Sequence, residues 1–513
     1  MPGEPFALSA RLARMLALDP DAPVIEFRGV WRTWGQLAAT AEAVRGHVPA
    51  PGLHVGVLLR NSPAHIGLLV GLLLAGARVV TVNPGRGEDR VRADVTGLGL
   101  PILAGSPADL ASFAPRDPDA AIATDATAPL LLAATDLGKP VAVSGKLPSA
   151  KLPSLPPLAG PPDSATGRRG VAVEMLTSGT TGPPKRVPLS YEMLTRVLLG
   201  AKYYEGNADQ TPRLRSGVAI VNAPLVHLGG LFRVLQCLND GRPFCLLERF
   251  TVEDWADAVR RHRPRTASLV PAALRMVLDA DLDPDDLRSL RSVVSGTAPL
   301  APETADEFQA KYGIPVLVSY AATEFGGGVA GWNLTDHRWF WAAKRGSVGR
   351  AHPGCELRVV DANSGEPLPR GAEGLLEVRA RQLDSDEWVR TTDLARIDEE
   401  GFVWIVGRAD QVIIRGGFKV HPDPVRVALE RDPRVLAAAV VGYDDPRLGQ
   451  VPVAAVELRQ GAGPVTAVEL REAASGLLAR YELPARIRVV DALPRTPSGK
   501  PDLTAIRNLF TTT

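Results

Sequence analysis

A ten-residue segment rich in hydroxyl groups and glycine is well suited to hold a polyphosphate. It follows the apolar run 171–173 and reads Leu-Thr-Ser-Gly-Thr-Thr-Gly-Pro-Pro-Lys over residues 176–185. Glycine lets the backbone turn its N–H groups toward an anion, the hydroxyls add neutral donors, and Lys185 adds a positive charge. A solvated turn is the commoner explanation of a generic segment of this composition. The order of residues here favours a phosphate loop, provided that the rest of the chain agrees.

The loop does not fit a Walker motif. Gly179 and Lys185 have the Walker spacing, but Pro184 stands where the second glycine belongs and Arg186 where Ser or Thr belongs. The segment instead resembles the phosphate loop of the adenylate-forming superfamily, which includes acyl-CoA synthetases, peptide-synthetase adenylation domains and luciferases. The resemblance implies that ATP is bound by Thr177, Ser178, Gly179, Thr180, Thr181, Gly182 and Lys185.

Residues 295–300 and 318–324 follow or overlap predicted strands and resemble two nucleotide motifs of the same superfamily. The first resembles the adenine loop, which implies nucleotide contacts from Gly296, Thr297 and Ala298. The second resembles the Tyr-Gly-x-Thr-Glu motif, with Ala321 in place of the glycine.

The second motif implies three chemical roles. Tyr320 offers a flat face to a purine, Thr323 a donor to the α-phosphate, and Glu324 an oxygen ligand for Mg²⁺, a cation that prefers carboxylates and phosphates. Taken singly, a core aromatic and a solvated carboxylate are the commoner interpretations. The spacing of the three residues favours the functional one.

Residues 222–230 follow the predicted strand 218–221, which places His227 near a strand end, where α/β proteins bind ligands. A lone histidine is more often structural. The segment, however, resembles the superfamily's acyl-pocket motif, in which this position borders the acid and the thiol entrance. Peptide-synthetase domains usually follow it with an Asp that pairs with an amino group, and Leu228 here argues against an α-amino acid substrate.

Small residues around this motif suggest the shape of the acid cavity. We expect an apolar cavity for an aryl or a medium-to-long aliphatic acid, and glycines that serve only backbone turns are the alternative. The predicted lining is His227, Leu228, Gly229, Gly230, Ala321, Gly326 and Gly327.

Residues 388–393 and 407–411 resemble the ribose and hinge motifs. A carboxylate accepts both hydroxyls of a ribose, which suits Asp393, although Thr392 stands where glycine is usual. By the same resemblance Arg408 reaches the ribose and Asp410 is the hinge about which a small domain swings. A surface ion pair is the alternative for an isolated Arg or Asp.

Two C-terminal segments complete the resemblance. Gly416, Gly417 and Lys419 match the loop that the superfamily places beside the pantetheine thiol, and a plain hairpin turn is the alternative. Lys500, on a Ser-Gly turn, matches the lysine that bridges the acid and the α-phosphate, whereas a lysine in such a place is usually exposed and idle.

Bulk composition limits the class of protein. The chain has 513 residues, 45% of them hydrophobic, which favours two or more globular domains. Its formal charge of +1 gives no reason to expect nucleic acid or an anionic membrane as partner. Three cysteines without metal-ligand spacing fit a reducing cytoplasm, and neither a signal peptide nor a membrane span is expected.

Apolar strand-like runs alternate with helical patterns, which predicts an α/β fold with parallel sheets. We expect a large N-terminal region of several α/β subdomains over residues 1–408, a hinge at 409–410, and a small mobile α+β domain over 411–513. The proline-rich stretch 145–170 is interpreted as a surface connection.

The motifs together predict an adenylate-forming ligase. It would use ATP and Mg²⁺ to convert a carboxylic acid to acyl-AMP and would then transfer the acyl group to CoA. Three alternatives stay open: an adenylation enzyme that loads a carrier protein, a luciferase-like oxygenase, and a non-catalytic nucleotide-binding module.

Overall fold

The computed structural model describes residues 7–48, 51–98, 100, 102–110, 121–122, 130–136, 139–142, 170–177, 185–204, 211–383, 385–495 and 501–511. Within these residues the chain forms five β-sheets. The α-helices that pack on them are Ala7–Leu16, Trp34–Arg45, Pro63–Leu74, Glu88–Leu98, Pro107–Leu110, Tyr191–Tyr204, Leu228–Asn239, Val252–His262, Pro271–Asp279, Pro284–Leu287, Pro302–Tyr312, Leu334–Phe340, Pro422–Glu430, Ala467–Ser475 and Leu503–Asn508.

The largest sheet has a parallel centre and antiparallel edges. Its central strands are mostly apolar, and their side chains are buried in hydrophobic clusters on both faces of the sheet. In spatial order its strands are Lys185–Ser190, Val171–Thr177, Arg78–Val82, His54–Leu58, Ile102–Gly105, Leu130–Asp136 and Ala121–Ile122, and Lys139–Ala142 pairs with Leu130–Asp136.

The strongly apolar stretch 66–82 forms most of a buried helix and the strand that follows it. Ser62 caps the helix Pro63–Leu74, and the chain turns at Gly76 with φ +72° before the strand Arg78–Val82. A Cβ atom at Gly67 would lie 2.4 Å from the side chain of Thr40 on the helix Trp34–Arg45. Glycine therefore allows this helix and Pro63–Leu74 to approach closely. None of the helices in the described ranges has the length and apolar character needed to cross a bilayer.

Two further sheets position candidate site residues, which lie on a strand of one sheet and beyond a strand end of the other. One joins distant segments in the order Ala219–Val221, Phe244–Leu246, Pro23–Phe27 and Val30–Thr33. The other runs Thr266–Ser268, Ser292–Ser295, Val316–Ala322, Gly327–Gly331 and Arg350–Ala351, and its first three strands are parallel.

A fourth sheet is wholly antiparallel, which the predicted alternation of strands and helices did not anticipate. Its strands are Cys355–Val360, Glu373–Ala380, Val389–Ile397 and Val403–Arg408. Glu377 is buried within it and bonds Arg358 at 2.8 Å and Arg390 at 2.9 Å. These charge-assisted bonds compensate the burial of the carboxylate, and they hold the pKa of Glu377 below its usual value.

The last sheet has its own hydrophobic core. Its order is Phe418–Val420, Ile413–Arg415, Gly449–Leu458 and Val435–Asp445, and Arg486–Val490 pairs in parallel with Gly449–Leu458. The helix Ala467–Ser475 begins where Thr466 and Glu469 form a capping box, and Gly476 follows its last turn.

Candidate functional site

Tyr320 and Asp393 are brought together from two sheets. Tyr320 lies on the strand Val316–Ala322, Asp393 lies on Val389–Ile397, and the phenol donates a hydrogen bond to Asp393 Oδ2. Burial, reinforced by the charge of Asp393, raises the pKa of Tyr320 above its ordinary value. The phenol therefore stays protonated and acts as a donor at neutral pH.

Arg408 and Asp410 adjoin this pair. Arg408 lies directly opposite Asp393 on the neighbouring antiparallel strand. Its guanidinium makes a two-pronged bond to Asp410, at 3.0 Å from Nε and 2.9 Å from Nη2, and this bond is the main cause of a raised Arg408 pKa. The predicted ribose and hinge residues are thus neighbours in space.

Thr391, which the sequence did not single out, fixes the backbone at Asp393. Its hydroxyl accepts from the Asp393 N–H at 3.0 Å and donates to the Leu376 carbonyl at 2.8 Å. Thr392, found where glycine is usual, lies between Arg390 and Leu394, where the pairing with the strand Glu373–Ala380 shifts register, and it has no positive φ. The departure at Thr392 therefore requires no left-handed backbone conformation.

The predicted adenine loop leaves the end of the strand Ser292–Ser295. A Cβ atom at Gly296 would lie 2.9 Å from the Ser319 carbonyl oxygen, so this position needs glycine. Thr297 has φ +70°, a left-handed conformation that costs a residue with a Cβ about 1–2 kcal/mol. Thr297 and Ala298 are exposed. A strained, exposed residue beside the strand of Tyr320 is consistent with a functional loop.

Thr323 and Glu324 form a short 3₁₀ turn directly after the strand that carries Tyr320. Phe325 anchors the turn in the core, and the Gly326 N–H donates to the Thr323 carbonyl at 2.9 Å. Glu324 is exposed, so its oxygen atoms are open to a hydrated cation. A carboxylate in this setting fits the predicted Mg²⁺ ligand.

His227 and Leu228 stand at the start of the helix Leu228–Asn239, with His227 at its N-cap. Gly229 is exposed, and a Cβ atom there would meet no other atom within 4 Å. Gly230 has a packing role, because a Cβ there would lie 2.2 Å from the Pro224 carbonyl oxygen.

The other glycines predicted to line the acid cavity are also closely packed. A Cβ atom at Gly326 would lie 2.9 Å from Met193 Sδ, and one at Gly327 would lie 3.3 Å from Val197 Cγ1. Ala321 is exposed at a register shift between its strand and Gly327–Gly331. These glycines make room for the helix Tyr191–Tyr204.

His352 packs on the opposite side of the strand Gly327–Gly331 and was missed in the sequence. A Cβ atom at Gly331 would lie 2.6 Å from its ring, so no larger residue fits there. Burial lowers the pKa of His352 to about 4, and the imidazole is neutral at physiological pH.

The predicted thiol loop is the turn of a hairpin between Ile413–Arg415 and Phe418–Val420. Gly416 and Gly417 have φ +56° and +90°, which explains the need for glycine. Lys419 is exposed on the second strand. The contact with a thiol stays a prediction.

Ion pairs join the last sheet and its helices to the preceding part of the chain. Arg459 bonds both carboxylate oxygens of Asp279 at 2.9 and 3.0 Å, and Arg431 bonds Glu303 at 3.1 Å. All four side chains are partly exposed, so these pairs are individually weak.

Part of the predicted ATP site lies outside the described residues. Thr177 ends one strand and Lys185 begins the next, and the two are directly paired, so the ends of the loop are held together. Outside the described residues lie Ser178, Gly179, Thr180, Thr181, Gly182 and Lys500, together with most of the connection 145–170.

Comparison with known proteins identifies the family. A model described as "AMP-binding enzyme" matches residues 12–384, and one described as "AMP-binding enzyme C-terminal domain" matches residues 427–500. The chain is 29% identical to indoleacetate–CoA ligase of Aromatoleum aromaticum, over 98% of each chain. It is 30% identical to 4-coumarate–CoA ligase 2 of Nicotiana tabacum over 63% of this chain and 62% of that one.

A solved structure shares the fold. The o-succinylbenzoate CoA synthetase MenE from Bacillus subtilis, in complex with an acyl-adenylate, superposes with a TM-score of 0.76. The match has 22% sequence identity and covers 97% of each chain. Because the first family model alone spans well over half of the sequence, the protein belongs to the family of AMP-binding enzymes.

Proposed function

We propose that the protein activates a carboxylic acid with ATP and transfers the acyl group to CoA. The observation that carries this proposal is the convergence of Tyr320, Asp393 and Arg408 from three separate strands, with Asp410 in the turn directly after Arg408, in a chain of this family. The names of the relatives, which are CoA ligases, support the same chemistry.

The adenosine end of ATP would lie against Tyr320 and Asp393. The Tyr320 hydroxyl already occupies Asp393 Oδ2, which leaves Oδ1 to accept from the ribose. The phenol ring offers its face to the purine, and the exposed residues Thr297 and Ala298 would approach the base from the neighbouring loop.

In the first step a carboxylate oxygen bonds to the α-phosphorus of ATP while the bond to pyrophosphate breaks. Like charges oppose this approach, so Lys185 and Lys500 would neutralise charge and hold the reactants in line. Glu324 would hold Mg²⁺, which supplies further positive charge when bound. The products are acyl-AMP and pyrophosphate, and the step requires no side-chain nucleophile.

In the second step the CoA thiol attacks the acyl carbonyl. A sulfur–carbon bond forms, the bond from carbon to the AMP oxygen breaks, and the thiol proton passes to solvent. We propose that the small domain 411–513 swings about the hinge 409–410, which removes Lys500 and brings in Gly416, Gly417 and Lys419. The end of one sheet at Arg408 and the start of the next at Ile413 support this division.

We propose an apolar acid, of aryl or medium-to-long aliphatic type, as the substrate. Leu228 in place of a carboxylate and the aromatic acids in the relatives' names support this class. The described cysteines Cys237, Cys245 and Cys355 are free thiols, which supports the proposal of a cytoplasmic location.

Pyrophosphate release with ATP, Mg²⁺ and a panel of carboxylic acids tests the proposal. We expect release with an aryl or aliphatic acid, thioester formation only when CoA is added, and poor rates with α-amino acids. A protein that binds ATP but releases pyrophosphate with no acid contradicts the ligase function. If a carrier protein accepts the acyl group and CoA does not, the carrier protein replaces CoA as the proposed acceptor.

A further inference from the structure

Asn61 makes a complete set of hydrogen bonds to backbone groups that follow two strands of another sheet. Its side chain is 7% exposed. Its Oδ1 atom accepts from the Leu225 N–H at 2.8 Å, and its Nδ2 atom donates to the carbonyls of Ala223 at 3.1 Å and Leu247 at 3.0 Å. Both N–H groups of the amide and its oxygen are therefore used.

The three backbone groups lie just beyond the ends of two parallel strands, Ala219–Val221 and Phe244–Leu246. Residues 222–227 form the turn from the first of these strands to His227. Within that turn the His227 N–H donates to the Pro224 carbonyl at 3.0 Å, and Gly230 packs against the same carbonyl. Asn61 thus bonds the two residues that flank Pro224, on which the start of the helix Leu228–Asn239 rests.

Asn61 is itself firmly held. The Ser62 hydroxyl caps the following helix by accepting from the His65 N–H at 3.3 Å. Arg60 makes a two-pronged bond to Asp109, at 2.7 Å from Nε and 2.5 Å from Nη2. Because both neighbours of Asn61 are held, its hydrogen bonds can fix the position of the turn 222–227.

We propose that Asn61 is a positioning residue for the acid, because it holds the turn 222–227 so that His227 and Leu228 face the acid cavity. This role rests on the proposed function of His227. It acts on the acid and not on ATP, since its bonds reach the turn that leads to His227 and none of the nucleotide motifs.

Two substitutions separate the bonds. Asn61→Ala removes all three. Asn61→Asp keeps an acceptor for the Leu225 N–H but sets a negative charge against two carbonyl oxygens, so it should harm the turn at least as much. We expect both variants to raise the KM for the acid about tenfold or more, while the KM for ATP changes less than about twofold.

A double-mutant cycle with His227→Ala distinguishes positioning from simple stabilisation. If Asn61 acts through His227, Asn61→Ala should lower kcat/KM for the acid about tenfold in the wild type and less than about threefold in the His227→Ala background. Asn83→Ala is the matched control. It removes a side chain that accepts from the Gly85 N–H at 2.9 Å, at the end of the adjacent strand, and should leave both KM values unchanged.

Additive losses in the cycle, or equal rises in the two KM values, overturn the role of Asn61. If Asn61→Ala does not fold, Asn61→Ser takes its place, because its short hydroxyl cannot reach all three backbone groups. A wild-type protein that activates no acid overturns the proposed function, and this role with it. An active wild type with an additive cycle overturns the role of Asn61 alone.

Discussion

Removing one hydroxyl tests whether the Tyr320–Asp393 pair forms part of a nucleotide site. Tyr320→Phe keeps the aromatic face but deletes the donor to Asp393 Oδ2. The Asp393 carboxylate then loses a bond that fixes its orientation on the strand Val389–Ile397. We therefore expect weaker binding of ATP and AMP with little loss of adenine stacking.

The magnitude follows from the charge of the acceptor. A hydrogen bond to a charged group contributes about 1.5–3 kcal/mol, and because this bond already exists before ATP binds, the corresponding rise in Kd of about 13- to 160-fold is an upper limit. The Tyr320 side chain is half-buried, so partial replacement by water favours the lower end of this range.

Calorimetric titration of the wild type and the Tyr320→Phe variant with ATP and 2′,3′-dideoxy-ATP measures the effect. If Asp393 accepts from the ribose, loss of the ribose hydroxyls and loss of the phenol should not be additive. Tyr312→Phe is the control, because it removes a phenol that donates to the Val277 carbonyl at 3.2 Å in a buried region. An unchanged Kd for Tyr320→Phe would refute the assignment of Asp393 to the nucleotide.

Other predictions concern the moving domain and pH. Lys500→Ala should lose acyl-AMP formation about 100-fold and keep thioester formation from supplied acyl-AMP, whereas Asp410→Pro should do the reverse; equal loss of both rates would contradict a domain swing. Arg459→Ala should alter the ratio of acyl-AMP formation to thioester formation by less than about fivefold, because the Arg459–Asp279 pair is partly exposed. Asp279→Ala should have the same effect, and high salt should remove the difference between each variant and the wild type. Burial lowers the pKa of His65 from 6.5 to about 4, so the unfolded chain takes up the proton first and stability falls as the pH drops from 6.5 to 4. In the wild type this fall in the free energy of unfolding is at most about 3 kcal/mol. Chemical denaturation at several pH values should show a smaller fall for His65→Gln.

The local elements of the fold were predictable because single stretches of sequence encode them. The alternation of apolar runs with helical patterns indicated elements such as the strand His54–Leu58 and the helix Pro63–Leu74. The strand Val316–Ala322 likewise ends in the motif that carries Tyr320. In these cases a short contiguous stretch of sequence was enough to predict the element.

Features that depend on pairing between distant segments were not predictable. The antiparallel sheet of residues 355–408 alternates no helices with its strands, so the α/β pattern did not indicate it. Asn61 lies 164 residues from Leu225 in the sequence, and the residues next to either one do not predict the contact. The strain at Thr297 depends on φ, which a threonine in a sequence does not reveal.

The division between the two last sheets has a consequence for recombining enzymes of this family. The antiparallel sheet closes at Arg408, and the pairing of Ile413–Arg415 begins only after the turn Ala409–Gln411. A graft of a foreign C-terminal module joined within this turn would leave every strand with its native partner. A junction at residue 427, where the second family model begins, would leave the hairpin 413–420 on one parent and its partner strand Gly449–Leu458 on the other. Chimeras joined within the turn should therefore fold whichever relative donates the C-terminal module. Chimeras joined at residue 427 should fold poorly.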